Sequence, residues 1–248
     1  MLLRHWLGGI RLYIAVAGAL VAAEVWWWAR AVYGDAAQAV IRMQSIYAWT
    51  ALGLVFAALV IGPLLKIFPR LPGKGLLRDA RRMLGIVAAG FATLHVGINY
   101  IGLFGLPNPL QLADSYQRAF LLGVSALVIL LLLAFTSFDA VFRAMGVWWF
   151  RLHRLIYIAV LLIVMHAFMI GSRSTSVLAL SILAAGAVLL LGLHSFLVVR
   201  QERPPHLQVI FVTLSVVFAA AVLNYGLTQH LGHNILLHSE DPDGHGHQ

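Results

Sequence analysis

The chain of 248 residues contains no cysteine. This absence excludes disulfide bonds, thiolate ligands for iron–sulfur clusters and the CxxCH motif that attaches a c-type heme covalently. Charge is also scarce, because only 10% of the residues are charged and only nine of them are acidic. A soluble domain carries about a quarter of its residues charged, so the composition argues against a soluble protein.

Hydrophobic residues make up 61% of the chain, which is typical of an integral membrane protein. Seven apolar stretches are long enough to cross a bilayer: 9–29, 45–65, 83–105, 119–136, 148–171, 177–199 and 207–229. None shows an alternating polar pattern, and only helices or closed barrels satisfy their backbone in lipid. The sequence therefore predicts an all-α integral membrane bundle of about seven transmembrane helices.

The basic residues predict the orientation of this bundle. If the N-terminus is cytoplasmic, thirteen of the seventeen basic residues fall in cytoplasmic segments: Arg4, Arg11, Lys66, Arg70, Lys74, Arg78, Arg81, Arg82, Arg143, Arg151, Arg154, Arg200 and Arg203. The positive-inside rule favours this arrangement and places the C-terminus outside. We attribute the net charge of +8 to topology and lipid headgroup contact, and no feature indicates a nucleic-acid partner.

The fifth stretch, from Trp148 to Gly171, carries two histidines, His153 and His166. An imidazole in lipid must find a partner, so intramembrane histidines usually mark a metal, a proton path or a cofactor. In the third stretch His95 lies thirteen residues after Arg82, about 20 Å of helix rise. In the fifth stretch His166 likewise lies thirteen residues after His153, which is near the cytoplasmic end of that span. Both spans run from the inside to the outside, so we expect His95 and His166 to lie at similar depth on parallel helices.

This depth match is the geometry of two imidazoles that bind one heme iron from opposite faces. The competing interpretation is two unrelated histidines that hydrogen-bond between helices. Residues near the predicted outer surface could contact heme propionates or could be ordinary helix-end residues: Asn99, Tyr100, Tyr116, Arg118 and Arg173. On the cytoplasmic side Thr136, Ser137 or Asp139 is expected to cap a short helix.

Three segments carry a family resemblance: RRMLGIVAAGFATLH, LAFTSFDAVFRAMGVWWFRLHRLIY and the later His166. They resemble the ferric-reductase-like transmembrane family, and within it most of all the heme-binding membrane subunit of the bacterial periplasmic methionine sulfoxide reductase system (MsrQ type). The resemblance covers roughly spans two to six. It implies a cytochrome b that moves electrons from a cytoplasmic flavin or quinol to an outside acceptor.

In the wider family two histidines on each of two helices hold two hemes, and this set is incomplete here. Arg81 stands fourteen residues before His95, where the family places a histidine. The resemblance therefore implies one heme b bound by His95 and His166 and leaves a second heme open. His153 is then a tentative inner ligand, a residue of a flavin (FMN) or quinone site, or an interfacial hydrogen-bonding group. His194 is a weaker candidate for a substitute inner ligand.

Two further features keep alternatives open. Four arginines, Arg81, Arg82, Arg151 and Arg154, could hold a flavin phosphate or lipid headgroups. The last nineteen residues are rich in histidine and acidic residues, a combination that suits divalent metals or is a flexible polar tail.

The expected organisation has four parts: a first transmembrane helix and outer loop (1–44), a heme-binding core (45–200), an extra transmembrane helix (201–229) and an external His-rich tail (230–248). The leading hypothesis is an electron-transfer subunit, not a complete enzyme, of the bacterial inner membrane. Its expected partners are membrane lipid, a cytoplasmic flavin reductase or the quinol pool, and a periplasmic electron acceptor. The alternatives are a ferric or cupric metalloreductase whose tail presents the metal, and a non-redox metal or proton transporter.

Overall fold

A computed structural model of the chain describes residues 2–68, 70–103, 114–170 and 186. It divides into two compact units, Met1–Ile163 and Val164–Gln248. Every regular element in the described ranges is helical. The predicted sixth and seventh spans lie outside the described residues.

The first unit is built from helices. These are α1 (Leu2–Tyr33), α2 (Ala37–Ile67), α3 (Lys74–Ile98), α4 (Asp114–Thr136), α5 (Asp139–Met145), α6 (Val147–Leu152) and α7 (Leu155–Ile170), the last of which crosses the unit boundary. Five segments are long and apolar enough to span a membrane: Gly9–Tyr33, Ala37–Leu65, Lys74–Ile101, Tyr116–Thr136 and Val147–Ile170. They confirm the first five predicted spans and imply contact with lipid.

Two of the helices end at a glycine with a positive φ angle. Gly34 ends α1 with a positive φ of 58°, and its N–H donates to the carbonyl of Arg30 at 2.9 Å. Gly146, with φ of 52°, separates α5 from α6. A residue with a positive φ angle ends a helix with little steric penalty only when it lacks a Cβ atom. These glycines therefore fix where two of the helices end.

The core lies along one stripe of α2. Five residues spaced four apart on this helix are buried, namely Ala39, Met43, Tyr47, Ala51 and Val55. Spacing of three or four residues places side chains on one helix face. This stripe packs mainly on α3, where the Tyr47 and Phe91 rings lie 5.7 Å apart.

Small residues let the helices approach closely. Ala88 and Ala89 of α3 are fully buried against Val55, Leu130 and Ala159, so α2, α3, α4 and α7 meet there. In lipid, helices associate mainly through van der Waals packing and interhelical hydrogen bonds. Large side chains such as Leu12, Trp27 and Val128 are instead exposed, as expected for lipid-facing positions.

The fifth predicted span is not one straight helix. His153 and Arg154 form a turn between α6 and α7, with three-residue hydrogen bonds from Arg154 N–H to Arg151 and from Tyr157 N–H to Arg154. The His153 Nδ1 lies 3.1 Å from the carbonyl of Trp149, which already accepts the His153 N–H. A side chain that enters the backbone ladder is a known cause of a helix break.

Candidate functional site

His95 lies near the end of α3 and faces α2. Its Nδ1 is 2.9 Å from the backbone carbonyl of Gln44. A carbonyl oxygen only accepts, so Nδ1 carries the proton and the lone pair of the neutral ring lies on Nε2. Metal-binding histidines commonly donate their other ring N–H to a carbonyl in this way, which fixes the tautomer and the ring orientation. The donor chemistry at His95 therefore fits an axial ligand to heme iron.

The Gln44 side chain contacts the residue that directly follows α3. The Asn99 Nδ2 donates to the Gln44 Oε1 at 3.3 Å. Asn99 opens a π-helical turn, Asn99–Leu103, that directly follows α3. Such turns are rare and are frequently found at functional sites. Asn99 thus contacts α2, and its contact with a heme propionate, one of the two sequence interpretations, stays a prediction.

His166 lies on α7 in the second unit, and its side chain is half-buried and has interaction partners. His95 and His166 belong to different units, so the pairing of the two histidines across one heme remains a prediction. Arg118, near the start of α4, is exposed and also has interaction partners. Arg173, His194 and the tail at 230–248 lie outside the described residues.

His153, in the turn between α6 and α7, lies close to the end of α3 that is opposite to His95. Protein groups hold its ring on three sides. Its ring stacks on Trp149 with centroids 3.7 Å apart. Its Nε2 lies 3.2 Å from the Ser137 Oγ, and its Nδ1 contacts the Trp149 carbonyl. A metal ligand must present one unprotonated ring nitrogen to the metal, so in this arrangement His153 would have to release Ser137 to ligate iron.

Ser137 has one hydroxyl proton and two acceptors for it. Its Oγ is 2.7 Å from the carbonyl of Leu133 and 3.2 Å from the His153 Nε2. When Nδ1 carries the proton of a neutral His153, the hydroxyl satisfies only one of these acceptors at a time. When both ring nitrogens carry protons, His153 donates to Ser137 and the hydroxyl is free to donate to Leu133.

An ion network joins three elements beside His153. Asp139, the first residue of α5, accepts from Arg11 at 2.7 Å and from Arg82 at 2.9 Å. Arg11 also pairs with Asp79, and Arg82 also donates to the backbone carbonyl of Ser137. The network ties α1 and α3 to the turn between α4 and α5.

The expected helix caps are not present. Phe138 is the N-cap of α5, and no side chain caps the helix there. The hydroxyls of Thr136 and Ser137 instead donate back to carbonyls of α4, and Asp139 accepts from the two arginines. The capping prediction was wrong because long-range guanidinium partners are available to Asp139, and a sequence does not reveal them.

Arg81 differs from its neighbour Arg82. In the described ranges no carbonyl or carboxylate oxygen is recorded within hydrogen-bonding distance of its guanidinium. A Cβ atom on Gly62 of α2 would lie only 3.2 Å from the Nη1 of Arg81. The absence of a side chain at Gly62 therefore leaves space for the Arg81 guanidinium. Arg81 and Arg82 both lie within electrostatic reach of His153. The structure therefore gathers Arg81, Arg82 and His153, which the sequence singled out separately.

The other two candidate arginines point to the surface. The Arg151 guanidinium lies 4.6 Å from the centre of the Trp148 ring, a cation–π contact, and both residues are exposed. Arg154 is exposed in the turn after α6. Their position suits a charged ligand or lipid headgroups equally.

Sequence reasoning missed Gln44 and the Ser137–His153 contact. Gln44 acts through its backbone carbonyl, which any residue carries, so residue type offers no signal. A polar Gln-Ser pair beside the second apolar stretch is the only hint in the sequence. Among the described residues no group of three or more His, Cys, Asp or Glu side chains forms a protein-only metal site.

The fold and these positions define a multi-pass helical membrane protein with histidines held inside the bundle. Residues 44–164, just under half of the chain, match the family model described as ferric reductase like transmembrane component. The matched range includes Gln44, Arg81, His95 and His153 and ends two residues before His166. No solved structure matches the chain. The family match suggests a role in membrane redox chemistry or electron transfer.

Proposed function

We propose that the protein is a b-type cytochrome subunit that carries electrons from a cytoplasmic flavin or quinol through heme to a periplasmic oxidoreductase, as the MsrQ resemblance implies. The observation that supports this most is the hydrogen bond between His95 Nδ1–H and the Gln44 carbonyl at 2.9 Å. It holds the neutral ring in the one tautomer that offers Nε2 to a metal. The family match over residues 44–164 supports the redox class.

In this proposal His95 and His166 hold the iron of one heme b. The bound heme supplies one-electron chemistry, and its axial ligands and surroundings set its potential. The chain itself contributes the ligands, their orientation and an apolar surround. No side-chain nucleophile or general base is required, so we assign no catalytic residue.

The basic end of the bundle is the proposed entry point for electrons. It contains Arg81, the network around Arg82 and the exposed Arg151 and Arg154. A flavin phosphate or an anionic headgroup would find donors there, because guanidinium forks suit phosphate oxygens. The proposal includes a seven-span bundle in the bacterial inner membrane, with the N-terminus cytoplasmic and the four parts 1–44, 45–200, 201–229 and 230–248.

Loss of each ligand provides the test. We expect His95→Gly and His166→Gly each to lower the heme content of purified protein by at least tenfold, and added imidazole to restore a b-type Soret band in His95→Gly. Thr50→Val is the matched control, since this hydroxyl on α2 donates to the Ile46 carbonyl of its own helix. Full heme content in both glycine variants would overturn the proposal.

A metalloreductase is the second candidate, favoured by the ferric-reductase-like description of the matching family. In that case the histidines of the tail at 230–248 would present ferric or cupric ions to the outer heme. Deletion of residues 230–248 distinguishes the two functions. A metalloreductase would lose metal reduction with its heme intact, whereas the electron-transfer subunit would retain reduction by its donor.

A further inference from the structure

His95, in the last turn of α3, and Asn99, the first residue of the π-helical turn that follows, contact the same residue of α2. The His95 ring donates to the backbone carbonyl of Gln44, and the Asn99 amide donates to the Gln44 side chain. Residues four apart lie one above the other on a helix face. Gln44 is therefore held at its main chain by α3 and at its side chain by the adjacent π-helical turn.

The acceptor of the His95 proton lies inside a helix. Gln44 is the eighth residue of α2, and interior helix carbonyls normally accept from the N–H four residues later. The position of this oxygen relative to His95 thus depends on how α2 sits against α3. Buried neighbours on both sides of Gln44, Met43 and Tyr47, fix the height of the helix through packing.

Asn99 adds a hydrogen bond between α2 and the end of α3 to this packing. The backbone N–H of Asn99 donates to the carbonyls of both His95 and Val96, at the point where α3 passes into the π-helical turn. A π turn changes the angular position of the residues after it. The amide of Asn99 reaches α2 at this transition, 3.3 Å from Gln44 Oε1.

We propose that Asn99 and Gln44 form a clamp that positions His95 and sets its strength as an iron ligand. This inference rests on the proposed heme function. A firm Nδ1–H···O=C bond makes the imidazole a better electron donor, which stabilises the ferric state and lowers the potential. When the clamp is lost, the carbonyl of Gln44 is less firmly held against His95, and the ring is freer to rotate.

A double-mutant cycle on heme properties tests the clamp. Gln44→Met and Asn99→Leu each remove the side-chain hydrogen bond with little change of volume, and the double variant removes it once. We expect all three to keep wild-type heme stoichiometry, to raise the midpoint potential and to shift the largest EPR g value. Because the two residues act through one bond, the double variant should shift the potential no further than either single variant.

Thr50→Val, on the same helix, is the matched control and should leave both readouts unchanged. If Asn99→Leu does not fold, Asn99→Ser carries the same test, since its shorter side chain cannot reach Gln44. Unchanged potential and g values in heme-loaded Gln44→Met and Asn99 variants, or additive shifts, would overturn the clamp. Wild-type protein that binds no heme would instead overturn the proposed function.

Discussion

Arg82 holds two acceptors on the same turn. Its guanidinium donates to the backbone carbonyl of Ser137 and to the carboxylate of Asp139, and it lies over the Phe142 ring at 4.8 Å. Lysine carries a point charge and cannot reproduce this forked geometry. The side chain is largely buried, so solvent does not replace the lost contacts.

We therefore expect Arg82→Lys to lower the free energy of unfolding by about 1–2 kcal/mol, near the lower range for hydrogen bonds to charged groups. We use the lower range because the buried Nε of Arg82 has no hydrogen-bond partner in the described residues, so lysine loses no hydrogen bond at that atom. Thermal unfolding in detergent, followed by circular dichroism, measures the change. Arg78→Lys, at an exposed position of the same helix, is the control and should change stability by less than about 0.5 kcal/mol.

At the scale of single residues, the sequence predicted which residue types matter but not their partners. His95 was identified because an imidazole in an apolar stretch needs a partner. Its acceptor, a backbone carbonyl of α2, has no signature in the sequence. Asp139 was expected to cap α5, but two arginines distant in the chain bind it instead. Long-range pairing depends on the packing of the helices, which residue type alone does not specify.

At the scale of helices, α1 and α3 lie in close contact at Gly18. A Cβ built on Gly18 would lie 2.6 Å from the Val87 Cγ1, so no side chain fits there without movement. Valine is stiff about χ1 and cannot easily turn away. The helix α1 lies outside the range of the family match, and this contact helps to fix it to the matched core.

Gly18→Ala is therefore expected to destabilise the protein by about 1–3 kcal/mol through overpacking. Val87→Ala in the same chain should restore most of the loss. Gly53→Ala is the control, because a Cβ at Gly53 meets no atom within 4 Å. Chemical unfolding of the wild type and the three variants measures the effect, and equal stability of Gly18→Ala and Gly53→Ala would contradict the close contact.

Asp139 links α1 and α3 to α5 in a pH-dependent way. Burial, the largest single influence, raises the pKa of Asp139, but the hydrogen bonds and charges of Arg11 and Arg82 together outweigh it. The net pKa lies below the ordinary value of 3.8. A carboxyl with a lowered pKa contributes stability that is fully present above its unfolded value and is lost as the pH falls through its folded value.

The wild-type protein should thus lose part of its stability as the pH falls below about 3.8. Asp139→Asn should be less stable at pH 7 by at most about 1 kcal/mol, since the carboxylate is half exposed, and should lose less on acidification. Unfolding midpoints between pH 7 and pH 3 test this. Glu24→Gln, an exposed carboxylate on α1, is the control and should keep the acid response.

Helix positions were predictable to different degrees. Apolar stretches of spanning length located the first five spans, because the thickness of the bilayer sets that length. The breaks were not predicted. The turn at His153 arises where its ring enters the backbone ladder, and the π turn after α3 lies within the third predicted span. Both depend on contacts that a hydrophobicity pattern does not record.

For the whole molecule, the positive-inside rule makes a prediction about topology. Alkaline phosphatase fused after Gln248 should be active, because seven spans place that end outside. The same enzyme fused after Gly146 should be inactive and a green fluorescent protein fusion there should be bright. An active phosphatase fusion at Gly146 would reverse the proposed orientation.

We propose that the chain holds one heme b through His95, whose Nδ1–H donates to the carbonyl of Gln44. A pyridine hemochrome assay on the purified full chain, combined with the heme-to-protein ratio, measures this heme. We expect a b-type spectrum and one heme per chain. A colourless preparation would contradict the heme claim itself, and two hemes per chain would contradict the single site.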